Sequence, residues 1–271
     1  MGHRTVRGMN TLLPLGRFFF AIPMMVFGIQ YLVYAHFVLG LPPVPPTIPG
    51  RPFWAYFTGA VLIVIGVSIV TKLKARLYAT LLAIMFFLCA IFLHVPVLAA
   101  HPHNGSEWAG ASEVLAICGG ALVLAGTMPV EWPYTQEWGS VLNNLTKLGQ
   151  YLFALSLVIF GTEHFIYAHF VAALIPSWIP WHLFWAYFTG VAFLAAAASI
   201  FTRMQVDLAA TLLGIMFLLW VLLLHIPRVA THPRNGTEWT SAFVALAMCG
   251  AAFVLAGTSI KRKLIVSEVA L

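Results

Sequence analysis

The chain has 271 residues, of which 61% are hydrophobic and 8% are charged, and its formal net charge is +6. With a mean hydropathy of +0.93, it has too few polar side chains to cover a water-exposed surface, so its composition excludes a soluble globular protein and indicates an integral membrane protein. Because the basic residues lie beside apolar runs, the positive charge indicates contact with the lipid bilayer and its anionic headgroups rather than with nucleic acid.

Apolar runs of membrane-spanning length follow one another along the whole chain. A helix of about 20 residues crosses the roughly 30 Å hydrocarbon core of a bilayer. Runs of this length are predicted at residues 15–38, 53–71, 76–98, 107–127, 148–171, 183–202, 206–229 and 238–258. The sequence therefore predicts an all-α, polytopic membrane protein with eight transmembrane helices.

The second half of the chain repeats the first. FWAYFTG at 53–59 returns at 184–190, and ATLLAIMF at 79–86 returns as ATLLGIMF at 210–217. One offset, about 131 to 133 residues, relates the two copies throughout, so each copy is a four-helix unit. Because four is an even number, both units enter the membrane from the same side. This predicts parallel repeats related by a pseudo-twofold axis along the membrane normal.

The basic residues predict the orientation. If the runs cross in order, only Arg51, Arg228 and Arg234 lie on one face, and the other face, which holds both termini, collects Arg4, Arg7, Arg17, Lys72, Lys74, Arg76, Lys147, Arg203, Lys261, Arg262 and Lys263. By the positive-inside rule both termini are cytoplasmic. The predicted organisation is a first repeat at 1–127, a cytoplasmic linker at 128–147, a second repeat at 148–258 and a basic cytoplasmic tail at 259–271.

The ionisable residues concentrate at the opposite, outer face. With this topology every histidine except His3 falls there: His36, His94, His101, His103, His164, His169, His182, His225 and His232. The glutamates of the same outer half are Glu107, Glu113, Glu163 and Glu238. Because an ionisable group within a membrane span is costly unless it has a partner or water, Glu163 and His164, inside the fifth run, are the leading candidates for catalytic residues.

The two copies differ at these candidates. Glu163 and His164 match Gln30 and Tyr31, and His182 matches Arg51. The pairs kept in both copies are His36/His169, His94/His225, His101/His232 and Glu107/Glu238. We therefore expect the more chemically active site in the second repeat, with a modified site in the first, where Gln30 and Tyr31 can still hydrogen-bond a ligand.

Histidine and glutamate side chains permit several chemistries. Histidine titrates near neutrality and ligates metals through a neutral nitrogen, while a desolvated carboxyl can hold or relay a proton. Proton-coupled quinone chemistry, haem ligation and metal binding all fit, with His164, His225 and His232 as metal-ligand candidates. However, no single helix carries an HxxxH or ExxH array, and Glu163 and His164 point to different helix faces. Hydrogen-bonded interfacial histidines without a cofactor explain the same pattern.

Two further motifs have a structural explanation beside the functional one. His94 and His225 each stand two residues before a proline that is expected to end its helix, so each either bonds a carbonyl freed by the proline or contacts a ligand. In the second motif, Ser106 and Thr237 are expected to cap the following helix through their hydroxyls. Glu107 and Glu238 then lie in the first helical turn, where capping alone accounts for an acidic residue.

The unit LGQYLFALSLVIFGTEHFIYAHF, followed by FWAYFTG and then HIPRVATHPRNGTEWTSAF, resembles the DoxX family of small bacterial membrane proteins, here duplicated in tandem. The second copy matches more closely, since the first has Gln30-Tyr31 in place of Glu163-His164. The resemblance implies a bacterial inner-membrane protein. For some relatives it implies association with quinone-linked sulfur oxidation or oxidative-stress complexes, although a shared fold does not fix the chemistry.

The function expected from these observations is a redox-associated membrane subunit that binds a quinone or similar small apolar ligand in a pocket near the periplasmic face. Glu163 and His164 would manage protons or ligand hydrogen bonds. The expected ligand-binding residues are His169, His182, Trp185, Tyr187, His225, His232 and Glu238 in the second repeat, and Gln30, Tyr31, His36, His94, His101 and Glu107 in the first. The aromatic residues Trp54, Tyr56, Trp185 and Tyr187 either line the pocket or pack between helices.

Two other functions fit the same sequence. Parallel repeats are a known plan of small-molecule and metal transporters. A noncatalytic assembly subunit of a larger redox complex would also use interfacial histidines. The sequence does not decide whether the cofactor is a quinone, a haem or another metal group.

Overall fold

The computed structural model describes residues 11–37, 43–129 and 136–269. Eight long helices make up most of this part of the chain: α1 Leu12–Tyr34, α2 Arg51–Thr71, α3 Ala75–Ala100, α4 Gly105–Thr127, α5 Gln136–Ile166, α6 His182–Thr202, α7 Val206–Thr231 and α8 Gly236–Val269. A short helix, Ala168–Ala173, follows α5. Each long helix contains a stretch apolar enough to cross a membrane, which confirms the predicted all-α polytopic architecture.

The helix ends differ from the predicted runs at two places. Helix α5 begins at Gln136, within the predicted linker at 128–147, and α8 continues to Val269, through most of the predicted tail. A hydropathy pattern detects only the part of a helix that lies in hydrocarbon. Where a helix continues into polar sequence, the predicted run is therefore shorter than the helix. Residues 130–135 of the linker, residue 38 of the first run, and His3, Arg4 and Arg7 lie outside the described residues.

The packing of the helices links the two repeats. Helix α1 packs along α2 and α8, whereas α5 packs along α6 and α4. The first helix of each repeat therefore contacts the last helix of the other repeat. Helices α4 and α8 also contact each other, and they are the most buried of the eight candidate spans.

Glycines permit the close contacts between repeats. A Cβ built on Gly119 of α4 would lie 2.6 Å from the carbonyl oxygen of Gly149 on α5, and a Cβ on Gly149 would lie 2.6 Å from that of Gly119. Gly16 of α1 and Gly250 of α8 are related in the same way, at 2.7 and 2.8 Å. Because hydrocarbon supplies no hydrophobic drive for helix association, such small-residue contacts let the backbones approach and gain van der Waals energy.

Pro96 and Pro227 do not end their helices, so that prediction was wrong. A five-residue π-helical turn precedes each proline, at Ala90–His94 in α3 and Val221–His225 in α7, and the helix then continues. In this turn the N–H of residue 95 bonds the carbonyl of residue 90, five residues earlier. The extra residue in the turn shifts the backbone hydrogen-bond register, so the helix continues although proline has no N–H to donate. Membrane helices tolerate proline through local adjustments of this kind.

The N-caps of α4 and α8 also differ from the prediction. The cap of α4 is Asn104, whose Oδ1 accepts a hydrogen bond from the backbone N–H of Ser106 at 3.1 Å. Asn235 accepts from Thr237 in the same way at 3.0 Å. Asparagine is as good a cap as serine, and it stands one residue before the glycine that begins each helix. The acidic residue predicted for the first turn is present in both helices.

Candidate functional site

A cavity of about 540 Å³ lies in the first repeat, mainly between α1, α2, α3 and the segment at 43–50, with one contact from α4. We call it the α1–α3 cavity. Its lining is formed by Tyr31, Phe37, Val44, Ile48, Pro49, Trp54, Thr58, Leu62, Met85, Phe86, Cys89, Leu93 and Val114. No histidine, glutamate or charged residue contributes to it. The described cavity therefore does not have the expected histidine and glutamate lining, and it does not lie in the repeat that was expected to hold the more active site.

Tyr31 is the most informative polar residue of this lining. Its side chain is 3% exposed, and its ring meets Phe37 edge to face, with ring centres 5.2 Å apart. Among the described residues the phenol hydroxyl has no hydrogen-bond partner. Since buried tyrosine hydroxyls usually find a partner, this hydroxyl is available as a hydrogen-bond donor inside an otherwise apolar cavity.

In the second repeat all three matching positions carry rings, and two of them replace non-aromatic side chains. Tyr31, Leu62 and Cys89 correspond in sequence to His164, Phe193 and Trp220. The Trp220 ring stacks on His164 with ring centres 6.1 Å apart and planes 13° apart, and it meets Phe193 edge to face at 5.7 Å. Aromatic side chains thus occupy the space whose counterpart in the first repeat lies open.

His164 is held by its backbone and by these rings. Its Nδ1 lies 2.8 Å from the carbonyl oxygen of Phe160. A carbonyl only accepts, so Nδ1 carries a proton, and in the neutral ring Nε2 then keeps its lone pair. A backbone hydrogen bond to the other ring nitrogen is usual for a metal-ligating histidine. However, the described residues contain no group of three or more His, Cys, Asp or Glu side chains that could hold a metal ion, so the structure does not assemble the candidates His164, His225 and His232.

Glu163 and His164 face different neighbours, as helix geometry predicts. His164 faces the rings of α6 and α7, whereas Glu163 interacts electrostatically with Glu113 of α4. The two candidate catalytic residues therefore lie on different helix faces, as their spacing predicted. The structure brings Glu163 instead to a second carboxyl group, across the α4–α5 contact between the repeats.

Gln30, which matches Glu163, lies at the corresponding contact between α1 and α8. Its Nε2 donates to the carbonyl oxygen of Gly236 at 3.2 Å, and its Oε1 accepts from the Thr240 hydroxyl at 3.3 Å. Gln30 is buried, with 7% exposure. These bonds assign it a helix-joining role outside the cavity lining.

Glu238 is occupied by an ion pair. Its Oε1 accepts a hydrogen bond from Nη2 of Arg228 at 3.0 Å, and its Oε2 lies 2.9 Å from Nε of the same guanidinium, so an ion pair joins α7 to α8. Nδ1 of the neighbouring His225 is buried and has no hydrogen-bond partner among the described residues, so it does not bond a carbonyl freed by Pro227. The first repeat has Val97 at the position of Arg228, and the ion pair is specific to the second repeat.

The remaining predicted residues are spread over one end of the bundle. His36, His101, His169 and His232 are exposed, and Glu107 is partly buried. Trp185 and Tyr187 are 38% and 40% exposed on α6, whereas His94 is buried in the π turn of α3. His182 lies 3.2 Å through Nε2 from the carbonyl oxygen of Pro176. None of these side chains lines the α1–α3 cavity.

Only Tyr31 and Trp54 of this lining were named from the sequence. The other lining residues are mostly apolar, and an apolar side chain in a membrane helix carries no chemical signal of its own. The exchange of Cys89 for Trp220 between the repeats was the available signal, since it replaces the largest side chain with one of the smallest at a matched helix position.

Comparison of the chain with models of known protein families, with curated proteins and with solved structures found no match. The resemblance to the DoxX family rests on the motifs quoted above.

Proposed function

We propose that the protein binds a small, uncharged and mostly apolar molecule, a quinone by class, in the α1–α3 cavity. In this proposal it serves as a redox-associated subunit of the bacterial inner membrane, with both termini in the cytoplasm. The observation that supports it best is a mostly apolar, partly open cavity whose Tyr31 hydroxyl has no partner in the described part of the chain. Pockets of roughly 300 to 1,000 Å³ with a few placed polar groups are typical ligand sites.

The lining supports an uncharged ligand. Moving an unpaired charge out of water into an apolar surrounding costs many kcal/mol, and no lining side chain carries an opposite charge. A ligand that dissolves in the bilayer reaches such a cavity without this cost. Quinones have this property.

Tyr31 supports a ligand that accepts a hydrogen bond. Its hydroxyl can donate to a carbonyl oxygen, and a quinone presents two such oxygens. A hydrogen bond of this kind contributes about 0.5 to 1.5 kcal/mol, enough to orient a small ring but not to hold it. Most of the affinity would then come from apolar contact with residues such as Leu62 and Phe86.

The test is quinone binding by the full-length chain purified in detergent, measured by calorimetry with a tetramethyl-1,4-benzoquinone, whose methyl groups block addition of thiols. Replacing Tyr31 with Phe should weaken binding by roughly three- to tenfold, the equivalent of one hydrogen bond. Glu163→Gln and His164→Gln should leave affinity unchanged, because neither residue lines the cavity. Loss of affinity in those two variants with none in Tyr31→Phe would place the ligand elsewhere.

The two alternative functions have direct tests in the same preparation. Quinone-independent uptake of a small solute by reconstituted vesicles would support a transporter. Co-purification with a larger complex, together with no quinone binding, would support an assembly subunit.

A further inference from the structure

The second repeat shows what fits the space that the first repeat leaves open. Resting on the proposed function, we infer that the ligand of the α1–α3 cavity carries a planar, fused two-ring system of about the size of an indole, so that a naphthoquinone fits better than a single-ring quinone. The indole of Trp220 serves as the internal template for this ring. Cys89, its sequence counterpart, lines the cavity.

Each wall around Trp220 has a counterpart in the cavity lining. The rings in contact with Trp220 are those of His164, Phe193 and Phe217. The residues that match them in sequence are Tyr31, Leu62 and Phe86, and all three line the cavity. The surroundings of one tryptophan and the lining of the cavity are therefore built from the same helix positions.

The geometry around Trp220 defines the expected pose. Its ring is nearly parallel to the His164 ring, at 13°, and nearly perpendicular to Phe217, at 82° with ring centres 5.6 Å apart. Stacked and edge-to-face arrangements are the two that aromatic quadrupoles favour. A flat ligand in the first repeat would stack on Tyr31 and meet the edge of Phe86 in the same way. A puckered aliphatic ring of equal size would make neither contact.

Cys89 provides the room. Its side chain ends at the sulfur atom, whereas the matched position in α7 carries a full indole. The lining also extends to Val44, Ile48 and Pro49 of the segment before α2, so the space continues beyond the ring position. A substituent on the ring, such as an apolar tail, fits this extension.

The deciding experiment compares a planar and a puckered probe that share one fused two-ring skeleton, two carbonyl groups and two methyl groups. The full-length chain in detergent is titrated with 2,3-dimethyl-1,4-naphthoquinone and with its saturated-ring analogue, the decahydronaphthalene dione with the same two methyl groups. The planar probe should bind about three- to tenfold more tightly, because two aromatic contacts are lost in the puckered one. Equal affinities would overturn the planar-ring inference while leaving the proposed function in place. Absence of binding by either probe and by the single-ring quinone would overturn the proposed function itself.

Variants at the template position give an independent readout. Cys89→Trp should abolish naphthoquinone binding, because it builds the indole into the first repeat, while Cys89→Ser should retain it. If Cys89→Trp does not fold, Trp220→Cys takes its place. That variant opens the matched space in the second repeat and should raise the stoichiometry from one naphthoquinone per chain toward two. Full binding by a folded Cys89→Trp, or an unchanged stoichiometry in Trp220→Cys, would contradict the inference.

Discussion

The indole of Trp220 stacks on the imidazole of His164, with ring planes 13° apart and ring centres 6.1 Å apart. At the matched positions of the first repeat, Cys89 and Tyr31 face a cavity instead. One of the two repeats is therefore packed with rings, and the other keeps a ligand-sized space. The duplication allows this division, because the packed copy can stabilise the bundle while the open copy stays free for the proposed ligand.

The ring cluster predicts a large stability difference between the repeats. Trp220→Ala should lower the free energy of unfolding by about 3 to 5 kcal/mol, because it leaves a void among Phe193, Phe217 and His164. Cys89→Ala should cost less than about 1 kcal/mol, since few atoms are removed next to a space that is already open. Denaturant unfolding in detergent micelles measures both values, and equal losses would contradict the division between the repeats.

The glycine contact between α4 and α5 predicts a strict size limit. An added Cβ at Gly149 would lie 2.6 Å from the carbonyl oxygen of Gly119 and 2.6 Å from the Cβ of Leu122. Neither neighbour is the free end of a flexible side chain. Gly149→Ala should therefore destabilise the protein by about 1 to 3 kcal/mol through overpacking.

Gly236→Ala is the matched control for this prediction. A Cβ at Gly236 would meet the ring of Tyr34 at 3.2 Å, which a small ring movement relieves. Its thermal unfolding midpoint in detergent should stay close to that of the unchanged protein. If Gly149→Ala also left the unfolding midpoint unchanged, the close approach of α4 and α5 would not be required for stability.

The sequence was sufficient for the membrane-spanning architecture, and the reason is physical. Bilayer thickness fixes the length of an apolar run, so runs such as 53–71 and 183–202 matched the helices at α2 and α6 closely. The ends of α5 and α8 were not predicted, because polar helical sequence outside the hydrocarbon leaves no hydropathy signal. The prolines of α3 and α7 were misjudged because a π turn compensates for the missing N–H.

The candidate site was less predictable than the fold. Ionisable residues such as Glu163 are conspicuous in an apolar sequence, yet their side chains pair across helix contacts rather than around the described cavity. The cavity depends on the volumes of side chains from four helices and the segment at 43–50, and only Tyr31 and Trp54 of its lining were singled out. The position of the cavity is indicated by differences in side-chain volume between the repeats, above all Cys89 against Trp220, and not by polar residues.

The ion pair between Arg228 and Glu238 predicts an energetic coupling present in only one repeat. A double-mutant cycle with Arg228→Ala and Glu238→Gln should give a coupling of about 0.5 to 1 kcal/mol, because the two charges lie within 3.0 Å of each other but the Arg228 side chain is 38% exposed. The coupling should shrink as salt is raised. The same cycle with Val97→Ala and Glu107→Gln should give none, and a similar value there would show that the effect is not the ion pair.

The meeting of Glu163 with Glu113 predicts that a carboxyl group can be removed from the α4–α5 contact without loss of stability. Glu163→Gln introduces the residue that the chain itself carries at the matched position 30, and it replaces a partly buried carboxyl group, whose ionisation is costly away from water, with a neutral amide of the same shape. The free energy of unfolding at neutral pH should therefore be unchanged or higher.

The reciprocal Gln30→Glu should lower the free energy of unfolding by about 1 to 3 kcal/mol, because a carboxylate cannot donate to the Gly236 carbonyl that Gln30 bonds at 3.2 Å. Unfolding of both variants in the same detergent compares the two directly. A marked loss in Glu163→Gln would mean that the carboxyl group of Glu163 stabilises the helix contact rather than straining it.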